Sequence, residues 1–565
     1  MISAALIVVL IIATGWFYGL GVEHLTVKVF KLQANSTTRP STRILLGFCI
    51  LIWIGQILSL VMPLGSMALL LVLAGGLAIA VFTNRSPDNK FISFPRLSVL
   101  GWTLLVLAGL SVLENSTHVP ANPDTGIYHA QAIHWLEAYP AVSGLGNLHT
   151  RFAFNSSWLV LNALFSLSFL GIRSFHLVSA ALALTAAVDF AIGAVDWYQG
   201  RATFANILRT IFLPLVFFIL GSQISSPGTD LPVILMLWMV LPAWMDVLPE
   251  GKEGNPLRAL IIFTIVVTLV TVKLSAAPIL LLAVWIGLIN LKNPGTIGKM
   301  AGIAGMILLP WFVRNIILSG YLIYPFPVID WFNFDWKIPP GIASTEVLTI
   351  QAWARDPGVS VEEVLSRPFF SWLQLWLIEK TTNQKLIILG AAVSPIIFVL
   401  GLGIAQKAKK LGQERLLNLV SGFLTVLLGA AYWLLTAPDI RFGYGFLLAI
   451  IGMTVLPWTA FVDIHRAAGS KLLRYILMIG LITYQLFFLV RSFDAKTMGQ
   501  RLVFPLDYPQ MPSEPCQLGD SQVWCAAPES WTQCWYQPFP CIPTLNEWAE
   551  TRGEEWRDGF RPKLD

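Results

Sequence analysis

The chain has 565 residues, of which 56% are hydrophobic and only 12% charged, with 22 Trp and a formal net charge of +5. Such a composition excludes a soluble globular enzyme and describes a polypeptide that crosses a bilayer many times. The positive excess is spread over many short loops rather than gathered in one dense basic tract, so it implies membrane orientation and no nucleic-acid partner.

Taken in order, about 14 apolar stretches run from Ile2 to Val22 at the start to Tyr475 to Val490 near the end, several shorter than the roughly 20 residues a straight span needs. The expected fold class is therefore an all-α polytopic membrane protein with roughly 11 to 14 transmembrane helices. Ile2 to Val22 lacks a basic leader and a small-residue cleavage site, and is read as a retained span. Lys and Arg cluster in the loops holding Lys28, Lys31, Arg39 and Arg43; Arg85, Lys90 and Arg96; Lys292 and Lys299; Lys407, Lys409, Lys410 and Arg415; and Arg466, Lys471 and Arg474. These loops are expected in the cytoplasm. Alternation then places the polar loop 114–157, the turn at Ser225 to Asp230, the loop 324–385 and the tail 492–565 on the outer side.

In the first outer loop, Asn122-Pro123 reads as a helix cap and first helical residue, with Asp124 in the first turn. Tyr128, Ala132, Trp135, Leu136 and Tyr139 then form one stripe at helical spacing, which predicts a helix lying in the membrane interface. Asp124 can be a carboxylate serving chemistry, or an acid that suits the start of a helix. His118, His129, His134 and His149 share this loop, but His129 and His134 do not fall on one helical face; no metal is expected.

Four further ionisable sites stand at outer helix ends: Asp230, Lys273, Arg314 and the pair Asp439 and Arg441. Charges beside the hydrocarbon are costly, which makes these residues candidates for one shared cavity. Each also has a plain structural reading: Lys273 can snorkel, Asp439 can pair with Arg441, and Arg314 can anchor a helix end. The loop 324–385 carries Trp331, Trp336, Trp353, Trp372 and Trp376, suited to stacking on sugars or to interfacial anchoring. In the tail, Cys516, Cys525, Cys534 and Cys541 suggest two disulfides with three pairings open, and their spacing is unusual for zinc. A small stapled lid or partner-binding piece is expected there.

An acid beside several cations at the outer leaflet suits sugar transfer from a polyprenyl-phosphate lipid. The phosphate leaves as an anion and needs no proton, so one carboxylate suffices as base, while Lys and Arg steady the departing charge. No glycine-rich nucleotide loop is present to favour a sugar-nucleotide donor.

These residues resemble the GT-C glycosyltransferases, in particular the branch of dolichyl-phosphate-mannose-type and lipid A aminoarabinose transferases. Asp124, Tyr128, Trp135, Pro140 and Phe154-Asn155-Ser156-Ser157-Trp158-Leu159 look like the family's first outer loop. Thr229-Asp230, Val272-Lys273, Pro310-Trp311 with Arg314-Asn315, Gly320, Tyr324-Pro325 and Pro438-Asp439-Ile440-Arg441-Phe442 are similar to its later motifs, in order. The string from Asp124 to His129 also resembles an uncharacterised bacterial subgroup. The resemblance implies a GT-C-like core over 97–491, additional helices over 1–96, and a multi-pass protein of a bacterial inner membrane.

It further implies Asp124 as the acceptor-activating base, and Lys273, Arg441, Arg314, Asp230, Asp439, Tyr128 and His129 as the groups around donor phosphate and sugar. His129 can also assist Asp124. The implied partners are a polyprenyl-phosphate-sugar donor and a glycan, lipid or protein acceptor; no cofactor is implied. Thr125 and Asn155-Ser156-Ser157 depart from the family pattern, removing a second acid and altering the acceptor entrance. A lipid-linked polysaccharide polymerase or ligase, a transporter and a non-catalytic assembly protein are the alternatives.

Overall fold

The computed structural model describes residues 1–30, 38–84, 97–170, 176–247, 256–291, 293–461 and 468–563. Each of the apolar stretches becomes a helix. Among the described residues ten helices are long and apolar enough to cross a membrane, and four apolar helices are shorter: Phe204–Leu220, Asp230–Trp244, Pro256–Val272 and a segment ending in Leu280–Ile289. At 1.5 Å per residue, the 15 residues of Asp230–Trp244 span only about 22 Å, less than the ~30 Å hydrocarbon layer.

Every residue of Asp230–Trp244 is buried. Long helices such as Thr382–Lys407 and Ala468–Ser492 instead leave large apolar side chains exposed, Leu386 at 62% and Leu472 at 64%, as a lipid-facing surface requires. Asp230–Trp244 thus lies inside the bundle, with most of Phe204–Leu220 and Pro256–Val272 buried beside it, whereas Leu280–Ile289 leaves Val284 and Leu288 exposed. The first helices join the same core: Ile2–Phe30 packs along Pro40–Val61, where a Cβ at Gly47 would overlap the Gly15 carbonyl oxygen, so only glycine lets these backbones cross. Pro40–Val61 in turn packs on Ser157–Leu164, Pro256–Val272 and Pro294–Ser319.

Basic residues gather at one end of the bundle. Arg39 pairs with Asp189 at 3.1 Å and Asp196 at 2.6 Å, Arg209 pairs with Asp189 at 2.9 Å, Arg474 donates to the Tyr198 carbonyl, Lys299 lies over Phe30 and Arg415 over Phe204. The helix Val178–Tyr198 leads from these groups to the opposite end, where His176 meets Tyr508. Its 21 residues cover about 31 Å, the depth of a bilayer core. Lys31, Arg85, Lys90, Arg96, Lys292 and Arg466 lie outside the described residues.

The tail departs from the all-α expectation. It carries an antiparallel hairpin, β1 (Ser513–Leu518) and β2 (Ser521–Ala526), with β3 (Cys541–Ile542) parallel to β2, and a second pair, β4 (Ala549–Thr551) and β5 (Phe560–Pro562). The cysteines pair 516 with 525 and 534 with 541. Backbone N–H groups of Cys534 and Trp535 both donate to the Gly126 carbonyl at 2.9 Å, and the N–H of Phe560 donates to the Ser143 carbonyl at 2.9 Å. Gln131 reaches the carbonyls of Trp535 and Pro538 and accepts from the Cys541 N–H. The tail therefore lies on the 114–157 loop. Replacing Cys534 and Cys541 together by Ser is expected to cost about 2–4 kcal/mol of tail stability; limited proteolysis should then cut the tail earlier than in the wild type.

This contact changes the reading of the aromatic stripe. Trp135 is 2% exposed and lies 4.9 Å from Phe539 and 5.9 Å from Phe560, ring to ring. Tail side chains, rather than lipid, cover that part of the stripe. In the loop 324–385, Trp372 and Trp376 are buried while Trp331 and Trp353 are exposed, so its aromatics divide between packing and surface.

Candidate functional site

Asn122 caps a short turn as its sequence suggests: its side-chain oxygen accepts from the Asp124 N–H at 3.0 Å. The chain then widens into a π-helical turn over Thr125–His129 before continuing as Ala130–Ala138. Such widened turns recur at functional sites because the extra residue re-aims the side chains around it. Asp124, just before the turn, faces Arg441 at the start of the helix Ile440–Thr454.

Asp124 meets two guanidinium groups. Arg441 Nη1 stands 3.3 Å from Oδ2, and Arg151 Nη1 stands 3.8 Å from Oδ1. Arg441 is held from behind by Asp439, with Nη2 at 2.9 Å, and Asp439 also caps the helix Ile440–Thr454 by accepting from the Arg441 N–H. Asp439 is thus an orienting partner of Arg441. Asp230, in the first turn of its helix, is ion-paired with Lys273, whose Nζ lies 3.7 Å from the centre of the Phe442 ring. Phe442 follows Arg441 directly, so the two pairs adjoin.

Burial alone would raise the Asp124 carboxyl, but His129, Arg441, Arg151 and Lys273 outweigh it and hold its pKa below the usual value. Burial pushes His129 down to about 4, against the opposing pull of Asp124 and Asp230. Its imidazole is therefore neutral near pH 7, and the permanent charges of Arg441, Arg151 and Lys273 keep Asp124 ionised. His129 Nδ1 lies 3.2 Å from Thr125 Oγ1, while Nε2 is buried with no partner among the described residues. Tyr128 packs on the His129 ring at 4.2 Å and on Phe154 at 5.8 Å, and burial raises its hydroxyl pKa.

The His129 shift has a consequence for stability. Between pH 6.5 and about 4 the unfolded chain binds a proton there that the folded chain refuses. Stability is thus present above the ordinary imidazole pKa and falls as pH drops through this window. A melting-temperature series from pH 7.5 to 4.5 should show that decline, and His129→Gln should flatten part of it; an unchanged slope would contradict the assignment.

The other histidines do not join it. His118 pairs with Glu114, His134 stacks between Tyr536 and Phe539, and the ring of His149 accepts from the Arg151 N–H. Arg314 also stands apart from the Asp124 cluster: Nε donates to Asn155 Oδ1 at 2.9 Å and Nη1 to Ser59 Oγ at 2.6 Å. Two residues of the cluster escape the sequence reading. Arg151 joins it directly, and Glu346, from the helix Pro340–Arg355, lies 3.4 Å from Arg151 Nε and accepts from Thr150 Oγ1 at 2.8 Å. A signal for Arg151 was available: it is the lone Lys or Arg in residues 114–157, a loop on the side where cations are scarce.

The arrangement gathers four carboxylates, Asp124, Asp230, Asp439 and Glu346, around Arg441, Arg151 and Lys273, with Asp124 shared between two arginines and partly open to solvent, beneath a covalently stapled tail. Asp124 can take a proton there, and a phosphate that displaces a carboxylate partner of Arg441 or Lys273 can pair with that cation. A family model described as a domain of unknown function (DUF8201) matches residues 1–448, a stretch that includes every member of the cluster and stops before the tail. No curated protein matches the chain.

Proposed function

The chain belongs to the DUF8201 family, and from the chemistry of its site we propose that it is an integral membrane glycosyltransferase. It moves a sugar from a polyprenyl-phosphate-linked donor to an acceptor hydroxyl. The observation that carries this reading is the direct approach of Arg441 and Arg151 to Asp124, next to the Asp230–Lys273 pair.

In the proposed step the acceptor oxygen attacks the anomeric carbon and its proton passes to Asp124. The bond from that carbon to the phosphate oxygen breaks with its electron pair, and polyprenyl phosphate departs as an anion facing Lys273 and Arg441. Nothing has to protonate the leaving group, which fits a site whose acids are all paired with cations. Asp439 keeps the Arg441 fork aimed, and Asp230 does the same for Lys273. The helix that Asp230 begins is shorter than the hydrocarbon layer, which supports a phosphate site set below the bilayer surface. Because the basic residues gather at the far end of the bundle, the charge rule supports an extracytoplasmic site in the inner membrane.

The test is steady-state kinetics with the protein in proteoliposomes and a short-chain polyprenyl-phosphate sugar. Lys273→Gln and Arg441→Gln each remove a charged contact of about 1.5–3 kcal/mol and are expected to raise the donor KM by about tenfold or more. An unchanged donor KM in both variants would overturn the placement of the phosphate.

A further inference from the structure

The tail does more than cover the 114–157 loop: it completes the turn beside Asp124. In an α-helix the N–H of Ala130 would bond the Gly126 carbonyl, four residues back. In the widened turn it bonds the Thr125 carbonyl instead, five residues back. The carbonyl of Gly126, a buried residue, thereby loses the donor that an α-helix would give it, and a buried carbonyl needs a replacement. The tail supplies two: the N–H groups of Cys534 and Trp535, both at 2.9 Å.

The fit is close on both sides. A Cβ at Gly126 would lie 2.8 Å from the Trp535 ring and 2.9 Å from Gln533 Oε1, nearer than packed side chains come, so only glycine admits the tail here. Trp535 is buried, and its φ is 53°; Trp531 and Thr532 stand at 55° and 61°. Bulky residues rarely adopt this left-handed backbone, and it persists only where the surroundings enforce it. The Cys534–Cys541 disulfide closes the segment into a loop, and Gln131 grips that loop at the Trp535 and Pro538 carbonyls and the Cys541 N–H.

Without the two tail donors, the Gly126 carbonyl can regain the Ala130 N–H by closing the turn to the α form. Removing the extra residue rotates the chain before it by about 100° relative to the helix Ala130–Ala138. Asp124 belongs to that chain, and the rotation carries it away from Arg441 and Arg151. We infer that the tail sets the aim of Asp124: Cys534 and Trp535 hold the wide turn open through the Gly126 carbonyl, and Gly126 and Trp535 are positioning residues of the site. The aiming role stands apart from the transferase reading; its effect on rate rests on that reading.

The experiment uses the full-length protein in detergent and has two readouts. The first needs no substrate: Asp124→Cys and Arg441→Cys are combined and joined by a short bifunctional methanethiosulfonate reagent. Adding Gly126→Ala is expected to lower the cross-link yield at least fivefold, because the new methyl group displaces the Trp535 ring and the N–H beside it. Adding Trp535→Ala as well removes the ring that the methyl meets, and should restore the yield to within twofold of the parent. The second readout is steady-state transfer in the otherwise wild-type protein. Gly126→Ala should lower kcat at least tenfold with donor KM within twofold, and Gly126→Ala/Trp535→Ala should recover most of the loss. Parent-like cross-linking in Gly126→Ala, or a loss that Trp535→Ala does not reverse, would overturn the aiming role. Should Gly126→Ala fail to fold, Gln131→Leu, which releases the same tail loop, decides by cross-linking: a lost cross-link supports the role and the parent yield refutes it. Tail-dependent cross-linking in a protein whose wild type transfers no sugar would overturn the transferase reading and leave the aiming role standing.

Discussion

Asp124→Asn is expected to lower kcat for sugar transfer by about 10²–10⁴-fold, the usual worth of a positioned general base, with little change in thermal stability. The amide keeps the size and shape of the carboxylate, and its one oxygen can still accept from Arg441 at 3.3 Å, while its NH2 takes the place of the oxygen that stands 3.8 Å from Arg151. It cannot take the acceptor's proton. Its side chain is 24% exposed, so the loss of two partly solvated ion pairs carries a small stability term. The effect belongs in kcat rather than in donor KM, which separates it from the Lys273 and Arg441 substitutions. Rates in proteoliposomes together with a melting curve check both halves, and a wild-type kcat would remove Asp124 from the chemistry.

The largest stability effect is expected at the root of the tail. Arg501 is fully buried, donates from Nη2 to Glu114 Oε1 at 2.7 Å and from Nη1 to Thr117 Oγ1 at 3.0 Å, and its carbonyl accepts from the amino group of Met1. Ile2 and Ser3 add backbone hydrogen bonds to Leu502 and Val503. Arg501→Met would leave Glu114, 1% exposed, a buried acid with only the His118 imidazole and the Asp494 N–H beside it, at a cost of about 3–5 kcal/mol. Glu114→Leu in the same molecule removes the stranded charge, so the double variant should be more stable than Arg501→Met alone. Thermal unfolding of the single and double variants measures this. A purely additive result would mean that the pair is not coupled as its geometry indicates.

The elements legible in the sequence are those whose signal is local. Apolar runs of 15 residues or more appear as helices, and Lys and Arg bias marks one end of the bundle, because hydrocarbon excludes charge and backbone polarity residue by residue. Asp124, Lys273, Asp230 and Arg441 stand out for the same reason: each is an ionisable group at a helix end beside apolar sequence. Their assembly was an expectation from helix ends sharing one side, and contacts such as Arg441 with Asp124 give it geometry.

What was not legible depends on distant partners. Periodicity shows that Trp135 lies on an apolar face but not that Phe539 and Phe560 cover it. Four cysteines allow three pairings until a fold brings 516 to 525 and 534 to 541. The strands of the tail are only 2–6 residues long, too short for an alternating pattern to register. Arg314 reads as one more cation near the donor until its partners prove to be Ser59 and Asn155.

The most direct test of the central claim is native mass spectrometry of the wild-type protein and of Lys273→Gln/Arg441→Gln, each purified in mild detergent from the same membranes. A sugar-bearing polyprenyl phosphate should travel with the wild type and be depleted from the double variant. The absence of any such lipid from the wild type after loading with donor, or equal occupancy in the two proteins, would contradict the account.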